Sequence, residues 1–460
     1  MTGGTPVISA LRQGSTVHRH EQLLPGPLDP ARAAAALRGN GRILLATTAS
    51  GPTRPAVLAV GELALISCGL NQEPGTGSTA LHAAVRFLDG LDLTTARHPE
   101  ERRFFGVISY DAVRDMERLK PRFGEDLPAY DLFVPEILIR FEDTAVRVIG
   151  RGCDASTARR ACLRAVRLLT AHRARPPRPS RAGTARFTLS RDDHHAAVEQ
   201  AKRYIVDGDI FQVVLSLGVV AEADMDGLEL YSAMCSVNPS PYQFWYRSRE
   251  FEVSGCSPEP CVTSDGARAM IRPLAGTRPR GADPAADLLA EQELHGSEKE
   301  LAEHRMLVDL ARNDLGRVCV PGSVVVPHLM RVERYSHVMH LTSDVTGELR
   351  TGITAADLIG ATFPAGTMTG APKVRAMEII DELEPVARSF YSGAVGSFGT
   401  YDADLWLTIR SAVLHQGQVR LQAGGGIVYD SDPAQEHAEC LAKLGAAARS
   451  AGIDLGKGAG

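Results

Sequence analysis

Apolar positions along the chain recur with two periods. Short runs rich in branched and aromatic residues, among them Ala56–Val60, Phe105–Tyr110 and Glu136–Phe141, read as strands, and Ala-rich stretches of helical spacing alternate with them. Farther along, Ser190 with Asp193 makes a capping-box-like start, and Ala197, Ala201, Tyr204 and Ile205 keep helical spacing until Gly208 ends the element. A strand over 210–216 follows. Its period of two puts Gln212, Val214 and Ser216 on one face and Phe211, Val213 and Leu215 on the other, so Gln212 reads as an isolated polar group facing a cavity. Further strands are predicted over 244–246, 251–254, 341–345, 394–398, 407–413 and 419–423. Turns rather than crossover helices join several of them. The pattern therefore predicts an α+β fold, with large antiparallel sheets packed together and flanked by helices, and no internal repeat of fixed period.

Composition narrows this picture. At 460 residues and 44% hydrophobic content the chain suits one large domain or two ordinary ones, and neither disorder nor a fibrous repeat fits. Residues 171–185, rich in Pro and Arg, divide a leading region, 1–170, from a trailing one, 186–450, with a short tail, 451–460. The net charge of -5 leaves no basic footprint, and the basic run 172–186 has no aromatic residues to stack on bases. It reads as a solvated linker, and no nucleic-acid partner is expected. Eight cysteines without a C-x-x-C pair read as reduced thiols of a cytoplasmic protein. The start, Met1–Val7, lacks a basic-then-apolar leader and no run of 18 apolar residues occurs, so neither secretion nor membrane spanning is expected.

Two acidic patterns add chemistry. Glu300 and Glu303 share a face of a helix predicted after Ser297, and Glu436 and Glu439 repeat the spacing on a helix started by Asp432 and Pro433. Ser297 and Glu300 also form a capping box, which gives Glu300 a structural reading. Glu303 has no such reading: it lines up with Leu307 and Leu310 on the face expected to be buried, where an unpaired carboxylate is costly. Glu436, Glu439 and Lys443 form one stripe, a common solvated device when taken alone. Nearby in the chain are Gly424–Gly426, whose exposed amides suit a carboxylate or phosphate, and 363–373, an anion cradle leading into a helix over 374–383. Arg410 ends a strand as an isolated cation suited to bidentate carboxylate binding. Four acids facing such groups suit a hard cation held against an anionic substrate.

Eight segments, Asp209–Ser216, Asn238–Tyr242, Ser257–Glu259, Pro273–Gly281, Ala302–Asp314, Ser336–His340, Phe363–Lys373 and Ala423–Val428, together carry a resemblance. Their order and spacing over about 186–450 are similar to the chorismate-utilising enzymes, and most similar to the aminating large subunit, component I, of anthranilate synthase. The leading region resembles the family's N-terminal part more weakly, through Gly106–Asp111 and Leu127–Asp131. The resemblance implies the component I fold, chorismate as substrate and Mg²⁺ as cofactor. The ion would lie between Glu303 and Glu439, with Glu300 and Glu436 as neighbouring acids. By motif, Arg410, Tyr391, Lys443, Gly424, Gly425 and Gly426 would hold the substrate carboxylates, and Thr277 and Thr367 would lie beside the ring. Glu259 matches the general acid that protonates the departing 4-hydroxyl while a nucleophile attacks C2. His340 matches a histidine near the pyruvate-eliminating end, an acid/base or positioning group.

Two positions bear on the nucleophile. Where family members that add water carry a lysine base, this chain has Gln212, an amide that takes no proton at neutral pH; ammonia needs no activation. Where many para-aminating relatives carry a lysine that attacks C2, it has Ala275. The resemblance thus implies amination at C2 and pyruvate elimination to give anthranilate. Nothing resembles a glutaminase nucleophile loop, so ammonia is expected from a separate glutamine amidotransferase subunit or from solution, with homo- or hetero-oligomers left open. In tryptophan-inhibited members a Leu-Leu-Glu-Ser motif and a Met after Asn-Pro-Ser-Pro-Tyr help form the regulatory site. Here the matches are Leu44–Thr47 and Gln243, which implies weak or absent feedback and a specialised pathway. Three alternatives stay open: release of 2-amino-2-deoxyisochorismate without pyruvate loss, para amination as in aminodeoxychorismate synthases, and a non-catalytic subunit that binds an amidotransferase.

Overall fold

The computed structural model describes residues 11, 14–48, 56–70, 79–120, 127–172, 181–335 and 338–456. Met1–Val7, the linker residues 173–180, Ser336 and His337, and the tail end 457–460 lie outside the described residues.

The strand Ile43–Thr48 shows how the layers arise. Ile43 and Leu45 enter a cluster with Ala33, Ala161 and Trp245, whereas Leu44 enters another with Val57, Phe105 and Phe244. A strand apolar on both faces needs a layer on each side, and here one is helical and the other is a second sheet. Tyr242–Arg247 lies beside it in antiparallel register and repeats the device, with Phe244 and Tyr246 between the sheets and Trp245 on the helical side.

The described strands form two antiparallel sheets, of 13 and 10 strands, packed through a core to which Phe105, Phe133, Val395 and Trp406 contribute from the smaller. This is the expected α+β architecture. The leading and trailing regions share both sheets: Ile43–Thr48 pairs with Tyr242–Arg247, and Phe104–Ile108 with Ala394–Phe398. Strands form where predicted at Ala56–Val60 and Ala394–Phe398, while the one predicted over 210–216 extends as Gln212–Asp224. Ser190 and Asp432 cap the helices Arg191–Val206 and Pro433–Ser450 as their side chains predict. Among the described residues no helix is long and apolar enough to cross a membrane.

Two passages between the sheets position the site. The chain leaves the larger sheet after Phe251–Ser257 and enters the smaller at Pro260–Ser264. It returns between Ala403–Leu407 and Ser411–His415. The passages lie side by side: Gly255 pairs with Ser411, Pro260 with Trp406, and the Leu407 N–H donates to the Glu259 carbonyl at 3.2 Å. The single strand expected over 407–413 is therefore two strands in different sheets. The strand-like run Leu-Thr-Ile-Arg-Ser-Ala-Val carries no Gly or Pro to mark the corner, which Thr408 holds through its hydroxyl on the Phe390 carbonyl and its amide on the Gly393 carbonyl. Arg410 does not end a strand; it occupies the corner, with φ of 50°.

Candidate active site

Glu259 sits on the outgoing passage and is only 4% exposed. Thr367, in the turn Gly366–Met368, donates its hydroxyl to Glu259 Oε1 at 2.8 Å. Burial outweighs that bond and pushes the carboxyl up to about 8, so it is a neutral acid at pH 7. A protonated carboxyl in a dry site is suited to give a proton to a leaving group. His340 is buried on the strand Val338–Glu348, and its Nδ1 lies 3.1 Å from the Gly276 carbonyl. A carbonyl only accepts, so Nδ1 carries the hydrogen and Nε2 is left as the acceptor. Thr277 Oγ1 lies 3.0 Å from the same Nδ1, and burial pulls the imidazole down to about 4, which keeps it neutral.

The three glycines belong to the strand Gln418–Ile427 rather than to a loop. They pair with Val214, Leu215 and Ser216 on one side, beyond the reach of Ser411–His415 on the other. The Ser216 N–H turns to Glu384, and Lys443 Nζ donates to the Gly424 carbonyl at 2.7 Å, so Gly424 carries its peptide groups on the open edge. Each glycine also makes room for a side chain. A Cβ would come 3.0 Å from the Tyr391 hydroxyl at Gly424, 2.9 Å from Glu436 Oε2 at Gly425 and 2.4 Å from Gln212 Nε2 at Gly426. Gln212, 5% exposed, is thus clamped against a bare backbone, and its Oε1 has no hydrogen-bond partner among the described residues. A buried amide oxygen left in this way is a ready acceptor for a ligand N–H.

The acids lie opposite. Ser297 Oγ accepts from the Glu300 N–H at 3.4 Å at the start of Glu298–Gly316, but the capping box is only half made, because the Glu300 carboxylate accepts from Arg278 at 3.0 Å. Glu303 is raised to about 7 by burial, opposed by Lys299 and reinforced by Glu300, Glu436 and Glu439. Glu436 is buried, accepts the Ser431 hydroxyl at 2.7 Å and is also raised by burial, while half-exposed Glu439 pairs with Lys443 at 2.6 Å. Among the described residues no group of three or more His, Cys, Asp or Glu forms a ready metal cage. Mg²⁺ is commonly held by one or two carboxylates with water and substrate supplying the rest, and the repulsion felt by Glu303 is what such an ion would relieve. These residues fit it.

Arg410 is largely buried beside Tyr391 and Glu439, and burial lowers its pKa. Its guanidinium makes no hydrogen bond or ion pair among the described residues, as expected of a group awaiting a carboxylate. In the segment 363–373 the Lys373 ammonium is already engaged, with Nζ bound to Asp314 Oδ2 at 2.7 Å. One pair went unread. Buried Arg388 is bidentate to Glu384 and donates to the carbonyls of Met368 and Val214, tying the turn of Thr367 to the strand of Gln212 and lying against Tyr391. Their i, i+4 spacing was visible, but equally common on surfaces. A cavity of about 600 Å³ between the sheets, lined by Leu44, Ala46, Arg140 and Trp406, contains none of the site residues.

A buried acid, a neutral histidine and an unpaired arginine facing an acidic pair define a site for a small polycarboxylate, and the chain belongs to the chorismate binding enzyme family, whose model matches residues 43–449. Within that family it is 44% identical over 359 residues to the anthranilate synthase component 1 of Thermus thermophilus, covering 75% of this chain and 78% of that one. It is 40% identical over 360 residues to the aminodeoxychorismate synthase component 1 of Bacillus subtilis, covering 75% and 76%. The solved anthranilate synthase component I of Streptococcus pneumoniae TIGR4 shares the fold with a TM-score of 0.75 at 29% identity, covering 87% of this chain and 94% of that one.

Proposed function

We propose that the chain catalyses Mg²⁺-dependent amination of chorismate at C2, using ammonia from a glutamine amidotransferase partner, and then eliminates pyruvate to give anthranilate. The observation that carries this reading is the clamped Gln212 amide, which offers a buried acceptor and no base. Water would need a base at that place; ammonia needs only its lone pair aimed at C2, with an N–H held by Gln212 Oε1. Glu259 gives its proton to the departing 4-hydroxyl. Arg410, Tyr391 and Lys443 hold the carboxylates, and neutral His340 serves proton movement at the pyruvate-eliminating end through Nε2. Mg²⁺, held by Glu303 and Glu439 with Glu300 and Glu436 nearby, would anchor the ring carboxylate and draw off charge. All eight cysteines are free thiols, which supports a cytoplasmic setting.

The test is the purified chain with chorismate, Mg²⁺ and excess ammonium, followed by anthranilate fluorescence and a coupled pyruvate assay. Equal amounts of both are expected. An amino-diene without pyruvate, or no loss of chorismate, would overturn the reading. Para amination is favoured by the Bacillus subtilis relative, but Ala275 provides no amine to attack C2. A para-substituted product would decide for it.

A further inference from the structure

A second, much smaller cavity opens against Glu259, bounded also by Cys261, Asp314, Thr362 and Thr367. It offers about 10 Å³ to the centre of a water, which is room for one molecule. Glu259, Asp314 and Thr367 put polar side chains in its lining, the kind of partners that a single buried water needs. Asp314 is 3% exposed, and Lys373, which holds it, also donates to the Thr362 carbonyl at 3.1 Å. The reaction as read above uses neither member of this buried pair. On its outer side Asp314 senses Arg317 and Glu117, which pair with each other at 3.3 Å. On the inner side Cys261 senses Lys373, Glu259 and Asp314 together.

A general acid must recover its proton at every turnover, and substrate covers the open side of Glu259 while it reacts. We propose that the cavity holds one ordered water through which Lys373 and Asp314 return a proton to Glu259. Asp314 is then a positioning residue for the general acid, and the inference rests on the reading of Glu259 given above. As the C4–O bond breaks, the Glu259 proton goes to the departing oxygen, which leaves as water. The cavity water gives a proton to the Glu259 carboxylate and takes one from the Lys373 ammonium by way of the Asp314 oxygen. The Lys373 amine regains its proton from solvent past Arg317 and Glu117, and the cycle closes.

The experiment combines a high-resolution crystal structure of the full chain with steady-state kinetics of Asp314→Asn and Ala311→Val. Ala311 lines the cavity, and its enlargement fills the space while leaving every charge in place, which covers the case in which Asp314→Asn folds poorly. The expected results are a water between Glu259 and Asp314, kcat lowered at least tenfold with KM for chorismate unchanged, and a solvent deuterium isotope effect on kcat that rises in both variants. A dry cavity, or an active wild type whose variants keep their kcat and isotope effect, overturns the relay alone. A wild type that consumes no chorismate with ammonium overturns the functional reading on which the relay rests.

Discussion

Replacing Glu259 by Gln removes a titrating group while keeping its shape and an oxygen to accept from Thr367. In the folded chain the carboxyl holds its proton up to about pH 8, against an ordinary value of 4.5. Between those values the folded state binds more protons than the unfolded one, so its stability falls as pH rises. The cost is about 1.4 kcal/mol per pH unit, reaching about 3 kcal/mol at pH 7 and about 5 kcal/mol above pH 8. Below pH 4.5 the two states bind alike and the penalty vanishes. At 4% exposure there is little solvent to screen it. The Gln variant has no such dependence. Urea unfolding of both proteins at pH 5, 7 and 9 should show the variant gaining on wild type by about 4 kcal/mol across the series, while losing chorismate turnover. Wild-type turnover should itself fall as pH rises through about 8, because the protonated acid is the active form. Stability differences that stay parallel from pH 5 to 9 would refute the reasoning.

Gly426→Ala sets a methyl 2.4 Å from Gln212 Nε2, so amination should fall at least about tenfold in kcat/KM for ammonium while the fold survives; unchanged kinetics would show that Gln212 is not clamped there. Arg388→Met strands the buried Glu384 carboxylate and should cost about 3–5 kcal/mol, read as a lowered urea midpoint. Because Glu303 keeps its proton up to about pH 7, Mg²⁺ must displace it below that value and should bind more tightly at pH 8 than at pH 6; calorimetry giving equal affinities would count against the acidic pair as its site. Thr47 donates to Gln243 at 3.2 Å where tryptophan-inhibited members carry a glutamate-containing motif and a Met, so tryptophan should inhibit weakly, and inhibition at micromolar concentration would contradict this.

The sequence alone determined what depends on near neighbours. Short apolar runs such as Ala56–Val60, the caps Ser190 and Asp432, and the spacing of Glu300 with Glu303 are properties of a few adjacent residues, and they emerged as read. Motif order likewise brought Glu259, His340, Arg410 and Gln212 to notice before any contact was visible. Quantities set by distant segments became visible only in the folded chain. The corner at Thr408–Arg410 depends on carbonyls of Phe390 and Gly393, and the half-made cap of Glu300 on Arg278. The glycine run was legible as unusual, yet its reason, a backbone bared beneath Tyr391, Glu436 and Gln212, comes from three separate parts of the chain. The protonation of Glu259 belongs to the same class. Desolvation is the work of all the atoms that exclude water from a group, and a one-dimensional pattern does not state which atoms those will be.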